Sequence, residues 1–417
     1  MGSAISNALS GLTANATAIN IVSNNLANLN TTGYKDEQVS FDDLVNQSLS
    51  GIASTTSVNG STIARGTQQF TQGSVQTTGN PYDAAIQGGG FFVLQDPSGQ
   101  TLYTRQGNFT VNASGDLVNS TGQFVQGWNA AAGVLNTNGA TGNIQLPNGL
   151  AQPPVATQNF TLSVNLQSNA AVGSPAGTFS SPIQIIDSQG NPHTLTVTYT
   201  ETAANTWSYA VTIPQADIGA GVSNAVGSGT LTFDNSGQLL TPALAGSAIP
   251  ISIPALNSTG AAMTLNWNLY NAAGAPQIAQ DTSTSANLSD TQDGLEAGQL
   301  SNMNIGANGQ IIATFSNGQT ESVAQIAVAS VLNPSSMQQF DGNSFVPTAL
   351  TAPPVIGVPS TGARGDVTGG ALESSTVDIA TEFTNLLTFE RGYQANSKVI
   401  TTEDQVVQQT IALIPGA

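Results

Sequence analysis

Apolar positions follow two different rules along this chain, one at its ends and another in its middle. Near the N-terminus Ile5, Leu9, Leu12, Ala16, Ile19, Ser23 and Leu26 alternate at spacings of four and three. This is the a/d pattern of a helix that packs along one seam. It predicts a helix over 3–28, about 39 Å long at 1.5 Å per residue. Gly33, after the Asn/Thr-rich run 28–32, supplies the stop. Near the C-terminus Leu372, Ile379, Leu386, Tyr393, Ile400, Val407 and Ile414 recur at every seventh residue. The interleaved positions Thr376, Phe383, Glu390, Ser397, Asp404 and Ile411 are mixed. One strict apolar line predicts a long helix, with Ser375 and Asp378 as a capping box. Gly392 inside it costs about 1 kcal/mol relative to Ala. Leu387, Phe389, Val399, Val406 and Leu413 widen the stripe beyond one seam, so the helix expects more than one neighbour.

From about 70 to 370 the period drops to two. Phe91-Phe92-Val93-Leu94 runs into the turn Asp96-Pro97-Ser98-Gly99, and the alternation over 194–200 sets Leu195, Val197 and Tyr199 on one face of a strand. Turn peptides recur at Ser114-Gly115, Asn235-Ser236-Gly237, Asn308-Gly309 and Asn317-Gly318, at spacings too irregular for a solenoid. The expected fold is multidomain and mainly β. Nested sandwich or barrel-like domains are flanked by long N- and C-terminal α-helices forming an assembly coiled coil. Composition shifts place an N-terminal assembly helix at 1–34, a linker at 35–70 and a discontinuous β-domain at 71–151 and 288–351. An inserted β-domain follows at 152–287, a Gly/Pro linker at 352–370 and a C-terminal assembly helix at 371–417.

Charge narrows the functions open to such a chain. Only 7% of its 417 residues are charged, and six Lys+Arg against 24 Asp+Glu give a net charge of −18. Binding to phosphate backbones needs clustered cations, which excludes nucleic acid, and an anionic membrane surface repels the chain for the same reason. No cysteine is present, so disulfide and thiol chemistry are excluded. The first residues have no basic segment and no apolar core of the kind a cleavable secretory signal carries. Residues 1–34 hold no charged side chain at all. A helix of that kind is poorly suited to solvent and too polar for a lipid bilayer; packing against copies of itself resolves both problems.

Candidate chemistry is sparse. His193, the only histidine, reads as a surface residue in a turn; without cysteines it cannot build a zinc site. No Gly-x-Ser-x-Gly elbow presents a serine nucleophile to it. Asp290, Asp293 and Glu296 miss the calcium-loop spacing and read as a solvated turn. No catalytic constellation, metal site or cofactor is expected.

Three sets of residues instead resemble the flagellar rod and hook axial protein family. Ala8 to Leu12 with Asn24, Asn25, Asn28, Gly33, Tyr34 and Lys35 is similar to the family's N-terminal signature. Glu382 to Leu386, Arg391, Tyr393 and Gln394, with Thr402 to Gln405, is similar to its C-terminal block. Gly90 to Val93 with Tyr103 to Phe109 resembles its shared β-domain. The region Asp187 to His193 ahead of alternating strands resembles the inserted domain of hook rather than rod members. The resemblance implies a non-enzymatic extracellular subunit of the flagellar hook and basal body, polymerising with itself into a flexible hollow tube that transmits torque. It also implies export without a cleaved signal through the flagellar type III apparatus, and contact with a distal rod protein, a hook cap and a hook–filament junction protein. Phe41 and Val45 resemble an export-gate element; they read equally well as one helical turn packed on the β-domain. A distal rod subunit and a secreted adhesin or fibre protein are the alternative readings.

Overall fold

The computed structural model describes residues 2–44, 61–131, 133–147, 149–244, 248–257 and 261–412; within these, the side chains of 2–4, 43–44, 61–62 and 411–412 are not described. Val45 and Ile414 lie outside the described residues. The chain divides into two compact units. One comprises Met1–Asn148, Asn302–Ala313 and Thr320–Ala417, and the other Gly149–Ser301 and Thr314–Gln319. The architecture is mainly β with one long helix at each chain end, α1 (Gly2–Ala27) and α2 (Ile379–Ala412).

In the first unit the strand Phe91–Gln95 pairs antiparallel with Thr101–Thr104, Phe124–Ala131 and Val328–Ser330. Its run Phe91 to Leu94 is buried on both faces, as expected of a strand apolar at every position. Phe92 meets Phe109 edge-on at 5.1 Å, and Phe91 packs with Phe70 and Phe345 at 5.4 and 6.2 Å. Two pairings join distant parts of the chain: Val75–Thr77 with Ala371–Glu373, and Ala84–Gln87 with Asp366–Gly369. They bring the entry to α2 beside the exit from α1.

These pairings relocate two boundaries. Leu372, the first position of the C-terminal heptad line, lies on the strand Ala371–Glu373, and α2 begins seven residues later at Ile379. The helix start is capped by Asp378, whose Oδ1 accepts from the Thr381 amide at 2.7 Å. Ser375 Oγ serves the Val377 amide at 3.3 Å, ahead of the helix. The Gly/Pro stretch 352–370 forms the strands Val355–Gly357 and Asp366–Gly369, with Val367 fully buried. Within 35–70, Glu37–Leu44 pairs antiparallel with Ser61–Gln68.

The second unit is a sandwich. A meander of Thr178–Ile186, Pro192–Ala203, Thr206–Thr212, Ala225–Phe233 and Leu239–Thr241 forms one sheet. In the other, Asn159–Gln167 runs parallel to Met263–Asn268 and Ile278–Asp281 and antiparallel to Ala286–Gln292. Leu195, Val197 and Tyr199 all point into the shared core, while the intervening threonines face outward. Trp267 stacks on Phe160 at 6.1 Å and meets Tyr209 edge-on at 5.2 Å. Alternation of period two is thus converted directly into two packed apolar faces.

Candidate assembly surface

α1 buries one line of mostly small residues: Ala8, Ala14, Ala18, Ile21, Val22 and Asn25. They lie against α2 and the strands Glu37–Leu44 and Ser61–Gln68. Gly11 adjoins Asn396, whereas Asn25 bonds to Glu382, so the two helices run antiparallel. The heptad residues of α1 form a different line. Leu12, Ala16, Ile19 and Leu26 are half-buried, while Ile5 and Leu9 are 37% and 54% exposed.

Among the described residues α2 has one helical neighbour, α1, and most of its side chains are exposed. Ile379, Phe383 and Leu387 are 47%, 51% and 54% exposed, and Tyr393, Val399 and Val406 are exposed as well. Leu386, Ile400 and Val407 are half-buried; the side chain of Ile411 is not among those described. Ile379, Phe383 and Leu387 follow one another at i, i+4 and i+8 and therefore share a face. Their side chains thus form one apolar stripe along the open side of the helix.

The helix pair is tied to the β-structure through Asn25, which has no solvent exposure. Its Nδ2 donates to the Glu37 carbonyl at 2.9 Å and to Glu382 Oε1 at 3.2 Å. Its Oδ1 accepts from the Tyr34 hydroxyl at 3.2 Å and the Glu37 amide at 3.0 Å. One side-chain amide thereby joins the end of α1, the following loop and the start of α2. Burial, reinforced by Glu37, Asp36 and Glu382, pushes the Tyr34 hydroxyl up to about 12. Asn28 closes the end of α1 by donating to the Asn24 carbonyl at 2.9 Å. Gly33 takes φ +66°, and a methyl there would meet the Arg105 backbone at 2.6 Å, so both conformation and space require glycine.

Below this hub lies a charged triad. Glu373, fully buried, accepts from Lys35 Nζ at 2.6 Å and from the Gly73 amide at 2.8 Å through Oε1. Its Oε2 accepts from Arg105 Nη1 at 3.2 Å. Lys35 also donates to the Thr71 carbonyl, and Arg105 Nη2 to the Gly88 carbonyl at 2.7 Å. Arg105 lies 5.4 Å from the centre of the Phe91 ring. Two of only six cations in the chain are spent at this junction. Burial holds both below their ordinary values, with Glu373 pulling each back up.

Glu382 is held less well. Its Oε2 is buried without a hydrogen-bond partner. Burial chiefly, then Asp36 and Asp378, raises its pKa despite the Asn25 bond. A carboxyl raised on folding adds stability below its unfolded value, about 4.3, and loses that contribution as pH rises through the folded value. Glu382→Gln keeps an oxygen for Asn25 and carries no charge. Urea unfolding at about pH 4 and about pH 7 is expected to show the wild type losing more stability, or gaining less, across that interval than the variant. Equal slopes would contradict this account of Glu382.

The remaining sequence candidates divide. Arg391, Tyr393 and Gln394 lie on the exposed part of α2, with Gln394 Nε2 donating to Glu390 Oε1 at 3.3 Å. Phe41 is on a strand rather than a helical turn and packs edge-on against Phe389 of α2 at 5.6 Å. His193 is not a surface residue. It is 7% exposed, with Nε2 at 3.3 Å from Asp187 Oδ2 and Nδ1 at 3.1 Å from Asp217 Oδ2. Asp293 clips the backbone, accepting from the Gln158 and Asn159 amides at 2.8 and 2.9 Å. Arg105, Glu373 and Glu382 were not singled out by spacing; the signal available was a charge inside an otherwise apolar or neutral run. Among the described residues no helix is long and apolar enough to cross a membrane.

Comparison with known proteins covers almost the whole chain. Residues 5–35 match the family "Flagella basal body rod protein", and 85–167 match "Flagellar hook protein FlgE/F/G D1 domain". Residues 173–295 match "Flagellar basal body protein FlaE D2 domain", and 368–413 match "Flagellar basal body rod FlgEFG protein C-terminal". The flagellar hook protein FlgE of Borreliella burgdorferi is 32% identical, over 97% of this chain and 98% of the relative. That of Escherichia coli K12 is 30% identical, over 98% and 100%. That of Brucella suis is 32% identical, over 97% of both. The crystal structure of Helicobacter pylori flagellar hook protein FlgE2 superposes with a TM-score of 0.50 at 15% identity, covering 70% of this chain and 99% of that one. This last likeness concerns the fold.

Proposed function

The chain belongs to the flagellar hook protein family, and from that premise we propose that α1 and α2 are the elements through which it polymerises. It is a structural subunit of the flagellar hook. The observation that carries the reading is the apolar line Ile379, Phe383 and Leu387, left open on a helix that already has its partner within the subunit. Fully burying such a side chain contributes about 1.5–3 kcal/mol; these three are already about half covered, so a neighbouring subunit that covers the stripe gains about half of that per residue. A contact between unlike faces of successive copies need not close on itself and extends into a helical filament.

The remainder of the chain suits a joint that bends as it turns. Outward positions of the sandwich are threonine-rich, and charges are few throughout. Neighbours can then shift against each other without breaking desolvated ion pairs, which resist removal of either partner. We propose that the subunit is non-catalytic and leaves the cell by the flagellar type III route without a cleaved signal, with Phe41 and Val45 as an export-gate element. Its neighbours in the axial structure are further copies of itself, a distal rod protein, a hook cap and a hook–filament junction protein.

Electron microscopy of the purified full chain in high concentrations of an excluded salt tests this reading, since such salts strengthen apolar burial. Curved hollow tubes of uniform width are expected. Dispersed monomers or shapeless aggregate over the whole salt range would overturn it.

A further inference from the structure

Two glycines and two asparagines meet where the helices cross. A methyl placed on Gly11 would stand 2.8 Å from Asn396 Nδ2, and one on Gly392 would stand 2.6 Å from Asn15 Oδ1. Each asparagine also reaches back along its own helix. Asn15 Nδ2 donates to the Gly11 carbonyl at 2.6 Å, and Asn396 Nδ2 donates to the Gly392 carbonyl at 3.0 Å. Both helices therefore carry Gly-x-x-x-Asn, and the two copies interlock head to tail. Each glycine provides the gap that the opposite asparagine fills, and each asparagine is fixed over that gap by its own backbone bond.

We propose that this reciprocal Gly–Asn clasp sets the register of α1 against α2, and thereby which faces of the pair are left for the next subunit. The register that places 11 opposite 396 and 15 opposite 392 also places 25 opposite 382, where Asn25 bonds to Glu382. Slipping one helix by a turn sets Asn15 against Asn396 in one direction. In the other it sets Gly11 against Gly392, leaving a void. Ala8, Ala14 and Ala18, also buried on α1, have too little shape to discriminate between such registers. The clasp also accounts for a glycine inside a long helix, where alanine is ordinarily favoured.

The test is a reversal of sign. In an open helix Gly392→Ala strengthens helix formation; in the clasp its methyl strikes an asparagine that cannot turn away without giving up its backbone bond. Overpacking of this kind costs about 1–3 kcal/mol, which is about fivefold to 150-fold in an equilibrium constant. Because the chain has no cysteine, Thr13→Cys and Gln394→Cys introduce a spin-label pair without interference. The full chain in this background is compared with its Gly392→Ala, Asn15→Ala and double variants. Expected for Gly392→Ala is a shifted or broadened label separation and a critical concentration for tube formation raised by about fivefold or more. Asn15→Ala added to it removes the obstruction and restores both readouts to within about twofold of Asn15→Ala alone. The pair Gly11→Ala and Asn396→Ala repeats the cycle from the other side, should Gly392→Ala fail to fold.

An unchanged label separation and critical concentration in Gly392→Ala would overturn the clasp, as would additive damage in both double variants. The proposal rests on the polymerising role of the helices only for the tube readout. If the wild type forms no tubes that role fails, while the label separation still decides the clasp.

Discussion

Glu373→Ala is expected to destabilise the unit that carries the helices by about 3–5 kcal/mol, the range for removing one partner of a buried ion pair. The variant leaves Lys35 and Arg105 as two positive charges in a site from which water is excluded. It also strips the Gly73 amide of its acceptor. Neither cation can withdraw easily. Lys35 is held by the Thr71 carbonyl and Arg105 by the Gly88 carbonyl over the Phe91 ring. Hydrogen exchange resolved by peptide reads the two units separately. Protection of the strands around Phe91 should fall by about two to four orders of magnitude, while the sandwich strands around Tyr199 keep theirs. Asp42→Ala serves as the contrast. Its pair with Arg65 is 4.0 Å apart and mostly exposed, and surface pairs of this kind contribute about 0–1 kcal/mol. A loss smaller than tenfold in Glu373→Ala would show that the triad does not hold the junction.

The second large effect is all-or-none. Removing α2 by ending the chain at Asp378 is expected to abolish tubes and leave both β units folded. The position of the cut matters. Ending before Leu372 would delete the strand that pairs with Val75–Thr77 and remove Glu373 with it, so it would confound loss of assembly with loss of the core. A chain that retains Glu373 keeps the triad and the long-range pairings. It loses α2 as a neighbour of α1, which still lies against the strands Glu37–Leu44 and Ser61–Gln68, so the exchange protection of α1 should fall while the β units keep theirs.

How much of this was legible in the sequence depended on whether one period governed a segment. Alternation at 194–200 led straight to Leu195, Val197 and Tyr199 in the sandwich core, because a strand has only two faces. The heptad lines gave the two helices but not the seam between them. Helical periodicity marks every apolar stripe without saying what covers it. Here the covered line of α1 includes Ala8, Ala14 and Ala18, residues whose small size makes them silent in a hydrophobicity pattern. Leu372 continued the heptad by coincidence of spacing, and its backbone was claimed by a strand more than 290 residues away. The triad was out of reach for a similar reason. Lys35, Arg105 and Glu373 are brought together by topology, and local propensity carries no information about partners so distant in the chain. Family signatures supplied Asn25, Tyr34 and Lys35 as names; geometry supplied their work, a buried knot between α1, the core and α2.

The most direct test of the central claim compares the full chain with the chain ending at Asp378 under the same tube-forming conditions, by sedimentation and electron microscopy. Expected are tubes that pellet from the full chain and, from the shortened one, subunits that stay in the supernatant with the exchange protection of their β units intact. Tubes of normal width from the shortened chain would contradict the claim, and would assign polymerisation to the β units instead.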